Sequence, residues 1–238
     1  MALLYLAAHG ARAPFLALLG LRRLRNLALV LAPYAVTVPL AFAVSERLDP
    51  AAAAGLVAVV LAPGAFLAPV VVIAAGGRRA DMAGALLLGT AVISFVLVAT
   101  RPGAVTLALT AAQAFALASL VAGALPTVRD RLLVPLRWAG HAAGIAVIVL
   151  AAAGGPRIDA TTVAVALAAV ALLLSVAGAA AAFMRRDVFS ALAATGTRDP
   201  IVATALAWST GGVDATAVPL ASAVILGIAA AALVIRRR

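Results

Sequence analysis

An arginine and an aspartate stand side by side inside an otherwise apolar run, Ala194-Thr195-Gly196-Thr197-Arg198-Asp199-Pro200. A second apolar run is interrupted far upstream by Ala62-Pro63-Gly64-Ala65-Phe66-Leu67-Ala68-Pro69. The chemistry available at the first stretch is that of fixed charge. A guanidinium stays protonated at any accessible pH and offers only donors. Its planar fork matches an oxyanion such as a carboxylate or sulfonate. The adjacent carboxylate can act as its counter-charge, or carry a coupling proton. Other chemistries lack their residues. There is no Cys, and the two histidines, His9 and His141, are far apart. That excludes thiolate chemistry and makes a metal cluster an unpromising reading. No nucleophile–base pair, paired carboxylates or metal triad is visible in the apolar runs, so an enzyme is not expected.

The elements that must position these residues follow from composition. Of the 238 residues, 66% are hydrophobic and only 11% are charged, with a mean hydropathy of +1.19. A soluble domain is about half apolar and about a quarter charged. This chain has too little polar surface to coat a water-soluble globule, so its partner is expected to be the lipid bilayer. Lipid leaves an open chain no way to satisfy its backbone except as helices. The expected fold class is therefore an all-α membrane protein with about nine transmembrane helices. The apolar segments run roughly over 2–20, 27–45, 51–76, 82–100, 104–126, 133–153, 160–183, 188–210 and 215–235. The first is interrupted by His9, Gly10, Arg12 and Pro14. Met1 runs straight into it without an A-x-A-like site after a basic region, so no cleavable signal peptide is expected.

The net charge is +10, and every basic residue is Arg. These arginines sit at the ends of apolar runs, which reads as a topology signal rather than a nucleic-acid surface. Arg22, Arg23, Arg25, Arg78, Arg79, Arg129, Arg131, Arg137, Arg185, Arg186, Arg236, Arg237 and Arg238 fall in one set of alternate connections and at the C-terminus. Only Arg47, Arg101 and Arg157 fall in the other set, beside Glu46, Asp49, Asp159 and Asp214. The bias places the first set in the cytoplasm. With nine spans the C-terminus is cytoplasmic and the N-terminus outside, which implies a multi-pass protein of the cell (inner) membrane.

The two interruptions resemble each other in kind. Pro removes a helical donor and crowds the preceding turn, so segments 51–76 and 188–210 are expected to be discontinuous helices. Broken helices at matching positions of two halves point to a secondary transporter. A division near residue 103 gives a first repeat over 1–103, lacking one N-terminal helix, and a second over 104–238. The two broken helices would run in opposite directions, cross, and form the core of an inverted repeat. The expected substrate-binding or coupling residues are Pro63, Gly64, Ala65, Pro69, Thr195, Gly196, Thr197, Arg198 and Asp199. Gln113, mid-segment, either lines the same cavity or bonds between helices. Thr90 and Ser94 are further candidate hydroxyls. Trp138 and Trp208 read as interface anchors.

The runs Ala53-Ala54-Gly55-Leu56 through Ala62-Pro63-Gly64-Ala65, then Ala75-Gly76-Gly77, together with Ala194 through Pro200, resemble the bile acid:sodium symporter superfamily, in its divergent bacterial members. Arg22-Arg23 through Pro39-Leu40 is similar to that family's basic turn and following helix. The resemblance implies an inverted-repeat fold of ten helices, or nine when the first is lacking, with organic anions bound where the broken helices cross. It also implies sodium coupling, and here the chain departs. The family's Ser-Asn pair falls on about Ala68 and Pro69, its Glu on Ala194, its Gln on Arg198 and its Asn on Asp199. Most side-chain oxygens that would hold sodium are gone. No cofactor is expected, and Arg198 is expected to occupy the region where a cation would sit, with Asp199 as counter-charge. The function expected is secondary transport of a small organic anion. The alternatives are an auxin-efflux-type carrier and a non-transporting or degenerate membrane paralogue.

Overall fold

A computed structural model describes residues 24–65, 80–100 and 126–237. The segment expected over 2–20 and all but the last residue of that expected over 104–126, with Pro69 and Gln113, lie outside the described residues. Among the described residues the regular elements are all helices. They are α1 (Leu24–Ser45), α2 (Pro50–Leu61), α3 (Ala80–Ala99), α4 (Pro126–Ala153) and α5 (Ala160–Phe183). Then come a short α6 (Val188–Ala191), a π-helical turn (Leu192–Gly196), α7 (Pro200–Gly211), a 3-10 turn (Asp214–Thr216) and α8 (Ala217–Arg237).

Aspartates start four of these helices. Asp49, Asp159, Asp187 and Asp199 each accept a backbone N–H from the first turn of the helix that follows. A carboxylate there satisfies donors that have no partner within the helix and lies at the positive end of its dipole. In Asp49-Pro50 and Asp199-Pro200 the proline follows at once, where its missing N–H costs nothing. Most observed helices fall where the apolar runs predict. The exception is α4, which begins at Pro126 rather than near 133. Arg129 and Arg131, expected in the connection before it, therefore lie within a helix. Pro126 suits a first helical position, and arginine is itself a good helix former.

Two described helices, α1 from Arg25 onward and α5, are long and apolar enough to cross a membrane. Shorter apolar helices lie at Pro50–Leu61, Gly89–Ala99, Ala142–Ala153 and Asp214–Ala229. Large apolar side chains stand exposed along α4 (Ile145, Val149, Leu150) and along α8 (Val224, Ile228, Ile235).

The segment expected as one broken helix over 51–76 has its first part in α2, which ends before Pro63. The segment expected over 188–210 is broken between the π turn and α7. Helices α2 and α7 pack on each other and run antiparallel. At their far ends a Cβ on Gly211 would lie 2.7 Å from that of Ala54. At their near ends the two breaks meet. Gly55, one turn into α2, faces the 3-10 turn so closely that a Cβ would sit 2.5 Å from the Ala215 carbonyl oxygen. Backbone cannot move aside as a flexible side chain can, so overpacking here costs about 1–3 kcal/mol or more. Gly55→Val is expected to lower the thermal unfolding midpoint in detergent, followed by circular dichroism, whereas Gly227→Ala, with open space at its Cβ, is expected to leave it unchanged.

Candidate functional site at the helix breaks

The end of α2 is built from the helices around it. Pro63 and Gly64 stop the helix, and the last carbonyls would be stranded in an apolar interior. Those of Leu61, Ala62 and Pro63 are met by donors. The Ser94 hydroxyl on α3 donates to the Leu61 carbonyl at 2.6 Å. The Tyr34 hydroxyl on α1 lies 3.0 Å from the Ala62 carbonyl and 3.1 Å from that of Thr90, placed to donate to either. The Asp199 N–H donates to the Pro63 carbonyl at 2.8 Å. Gly64 donates its own N–H to the Thr90 hydroxyl oxygen at 2.9 Å, and that hydroxyl donates onward to Leu87. An unsatisfied buried backbone group costs about 1–3 kcal/mol, so these bonds are what permits the helix to end here.

The second break is made differently. Between Leu192 and Gly196 the helix widens by one residue, and Thr197 donates its N–H to the Leu192 carbonyl five residues back. Such π turns recur at functional sites. The Thr195 and Thr197 hydroxyls donate to the Ala191 and Ala193 carbonyls of the same turn. Gly196 lies flat on α5, where a Cβ would come within 3.1 Å of Ala177 and Leu174 side-chain carbons. Thr197 turns the chain into an extended conformation. Asp199 Oδ1 then accepts the N–H groups of Ile201 and Val202, at 2.9 and 3.0 Å, and starts α7.

Gly64 and Arg198 pair as an isolated antiparallel bridge. The two interruptions, more than a hundred residues apart in sequence, therefore touch through their backbones. Only glycine allows it: a Cβ on residue 64 would lie 2.0 Å from the Ala194 carbonyl oxygen and 2.9 Å from the Thr90 hydroxyl.

The bridge fixes Arg198 in the interior, with 2% of its surface exposed. Its guanidinium carbon lies 4.1 Å from the centre of the Tyr34 ring. None of its three nitrogens has a hydrogen-bond partner among the described residues. A desolvated cation–π contact contributes about 2 kcal/mol, whereas taking a charge out of water costs several kcal/mol per ion. The ring offsets only part of that cost. An acceptor of negative charge would supply the remainder.

Of the residues singled out in the sequence, Pro63, Gly64, Ala65, Thr195, Gly196, Thr197, Arg198 and Asp199 lie where the end of α2 meets the break before α7. Pro69 and Gln113 lie outside the described residues. The Thr195 and Thr197 hydroxyl protons are directed at backbone carbonyls of the turn before them. Asp199 has its Oδ1 on the first N–H groups of α7, and the Arg198 guanidinium lies on the face of Tyr34. Tyr34 was missed. Its signal was present as one of only two tyrosines, a polar tip inside an apolar helix, next to Pro33. No protein-family model and no characterised protein matches this sequence.

Two substitutions test the construction. Thr90→Val removes the acceptor of the Gly64 N–H and is expected to cost about 1–3 kcal/mol in unfolding free energy, with Thr90→Ser close to the unaltered protein; denaturant unfolding of both measures the difference. Gly64→Ala is expected to be more damaging than Gly196→Ala, because its methyl meets a carbonyl oxygen rather than side-chain carbons; the ranking of their thermal midpoints checks this.

Proposed function

We propose that this chain is a secondary transporter that carries a small organic anion across the cytoplasmic membrane. The observation that carries the reading is the bridge between Gly64 and Arg198. It joins the end of α2 to the break before α7, next to a buried guanidinium without hydrogen-bond partners among the described residues. Irregular backbone at membrane depth is tolerated where it is enclosed by protein or lines a site, and paired breaks of this kind are how transporters build theirs. A buried charge within an apolar helical body is costly and marks function by default.

The finer architecture belongs to the same proposal. The chain would cross the membrane about nine times as an inverted repeat, N-terminus outside and C-terminus in the cytoplasm, in the manner of the bile acid:sodium symporter superfamily. The exposed apolar side chains of α4 and α8 support a lipid-facing surface, and the arginine distribution supports the orientation.

Counterflow in proteoliposomes tests the function. Vesicles loaded with an unlabelled organic anion are expected to accumulate the labelled form transiently, well above protein-free vesicles. A panel of carboxylates and sulfonates that gives no counterflow would return the chain to the non-transporting reading. The absence of native cysteine makes orientation measurable directly. A single Cys at position 47 is expected to react with an impermeant maleimide added outside intact cells, and one at position 186 only after permeabilisation.

A further inference from the structure

Within that transporter reading, the crossing bears on what travels with the anion. Two helical segments end there: α2 at Leu61, and the π turn at Gly196. The carboxyl ends of helices carry partial negative charge and favour a cation. In this chain the cation present is part of the protein. Arg198 follows the π turn by two residues, is held by its backbone bridge to Gly64, and lies over Tyr34.

The oxygens around it take part in hydrogen bonds, and the guanidinium already stands among them as a fixed cation. Leu61, Ala62 and Pro63 carbonyls accept from Ser94, Tyr34 and the Asp199 N–H. The hydroxyls of Thr195 and Thr197 donate within their turn, and that of Thr90 joins Leu87 to Gly64. Hard cations such as sodium need several oxygens converging on one point, and a guanidinium at that point repels them. Among the described residues at the meeting point, the carboxylate that could carry a coupling proton is Asp199. Its Oδ1 accepts from Ile201 and Val202 at the start of α7, so a proton added and removed each cycle would weaken the helix start each time. The titratable or charged side chains of the described residues at the crossing are Tyr34, Arg198 and Asp199.

We infer that Arg198 is a built-in replacement for a co-transported cation, so that the carrier moves a monoanion without sodium or proton and its net flux carries charge. One guanidinium pairs with one anionic group, which selects monoanions over dianions. The guanidinium of Arg198 is the anion-binding group, and Tyr34 is a positioning residue that holds it in the interior.

The decisive experiment uses the full chain in proteoliposomes with radiolabelled benzenesulfonate, lactate and gluconate as probes. Sodium is replaced by N-methylglucamine on both sides, the pH gradient is set or collapsed, and the membrane potential is clamped with potassium and valinomycin. Uptake is expected to be unchanged within twofold by either replacement, and to reach tenfold accumulation at about 60 mV, inside positive. Flux that falls tenfold when sodium is removed or the pH gradient collapsed would overturn the inference while leaving the transporter reading standing. No flux of any probe under any gradient would overturn both. Arg198→Lys, which keeps the charge, is expected to retain sodium-independent uptake at a reduced rate, and Arg198→Gln to lose it at least tenfold. Full sodium-independent uptake by Arg198→Gln would overturn the assignment to Arg198. The ion-replacement arm on the unaltered protein decides the question even if the Gln variant does not fold.

Discussion

The structure depends on closing the hydrogen bonds of an interrupted backbone inside an apolar body. An intact helix satisfies its own peptide groups, but one that stops at Pro63 does not. The chain meets the shortfall with partners from three directions: the Tyr34 hydroxyl of α1 and the Ser94 hydroxyl of α3 as donors, the Thr90 hydroxyl oxygen of α3 as acceptor of the Gly64 N–H, and the backbone N–H of Asp199 from the second break. The bridge of Gly64 with Arg198 is the last part of that closure. Each break is thus a condition for the other, and the placement of a charged side chain at their junction follows from the backbone rather than from the charge itself.

This explains an apparent conflict of magnitudes. A lone arginine in such an interior is unfavourable by several kcal/mol, and the Tyr34 ring returns about 2 kcal/mol. Electrostatics alone would expel the side chain. Its backbone, however, is held on both sides: residue 198 pairs with Gly64, while residue 199 donates to Pro63 and starts α7. The surrounding packing over-determines a position that the side chain by itself disfavours, as is common where strain serves function.

Much of this was legible in the sequence. Apolar runs located most helices, and Pro-Gly at 63–64 with Thr-Gly-Thr-Arg-Asp-Pro at 195–200 located both interruptions. Their meeting was expected from the pairing of two broken helices, though no local pattern could supply the one-residue pairing of Gly64 with Arg198. The part that stayed hidden concerns partners. An Asp-Pro dipeptide is a strong helix-start signal, yet beside an arginine its charge draws attention first, and the cap on α7 was not foreseen. Tyr34 was hidden because a tyrosine in an apolar helix ordinarily serves packing or an interface; only the folded arrangement sets its hydroxyl against Ala62 and its ring against Arg198. The early start of α4 was obscured by arginines that suit a loop and a helix equally well.

The antiparallel pair α2 and α7 has a mechanical consequence. It is joined at one end by the bridge and at the other by the close approach of Gly211 to Ala54, with Gly55 seated on the 3-10 turn between α7 and α8. A pair fastened at both ends behaves as a stiff beam rather than a hinge. Motion that exposes Arg198 would separate this beam from its neighbours as one body, and the compliance of the molecule would reside in the contacts around the beam, not within it.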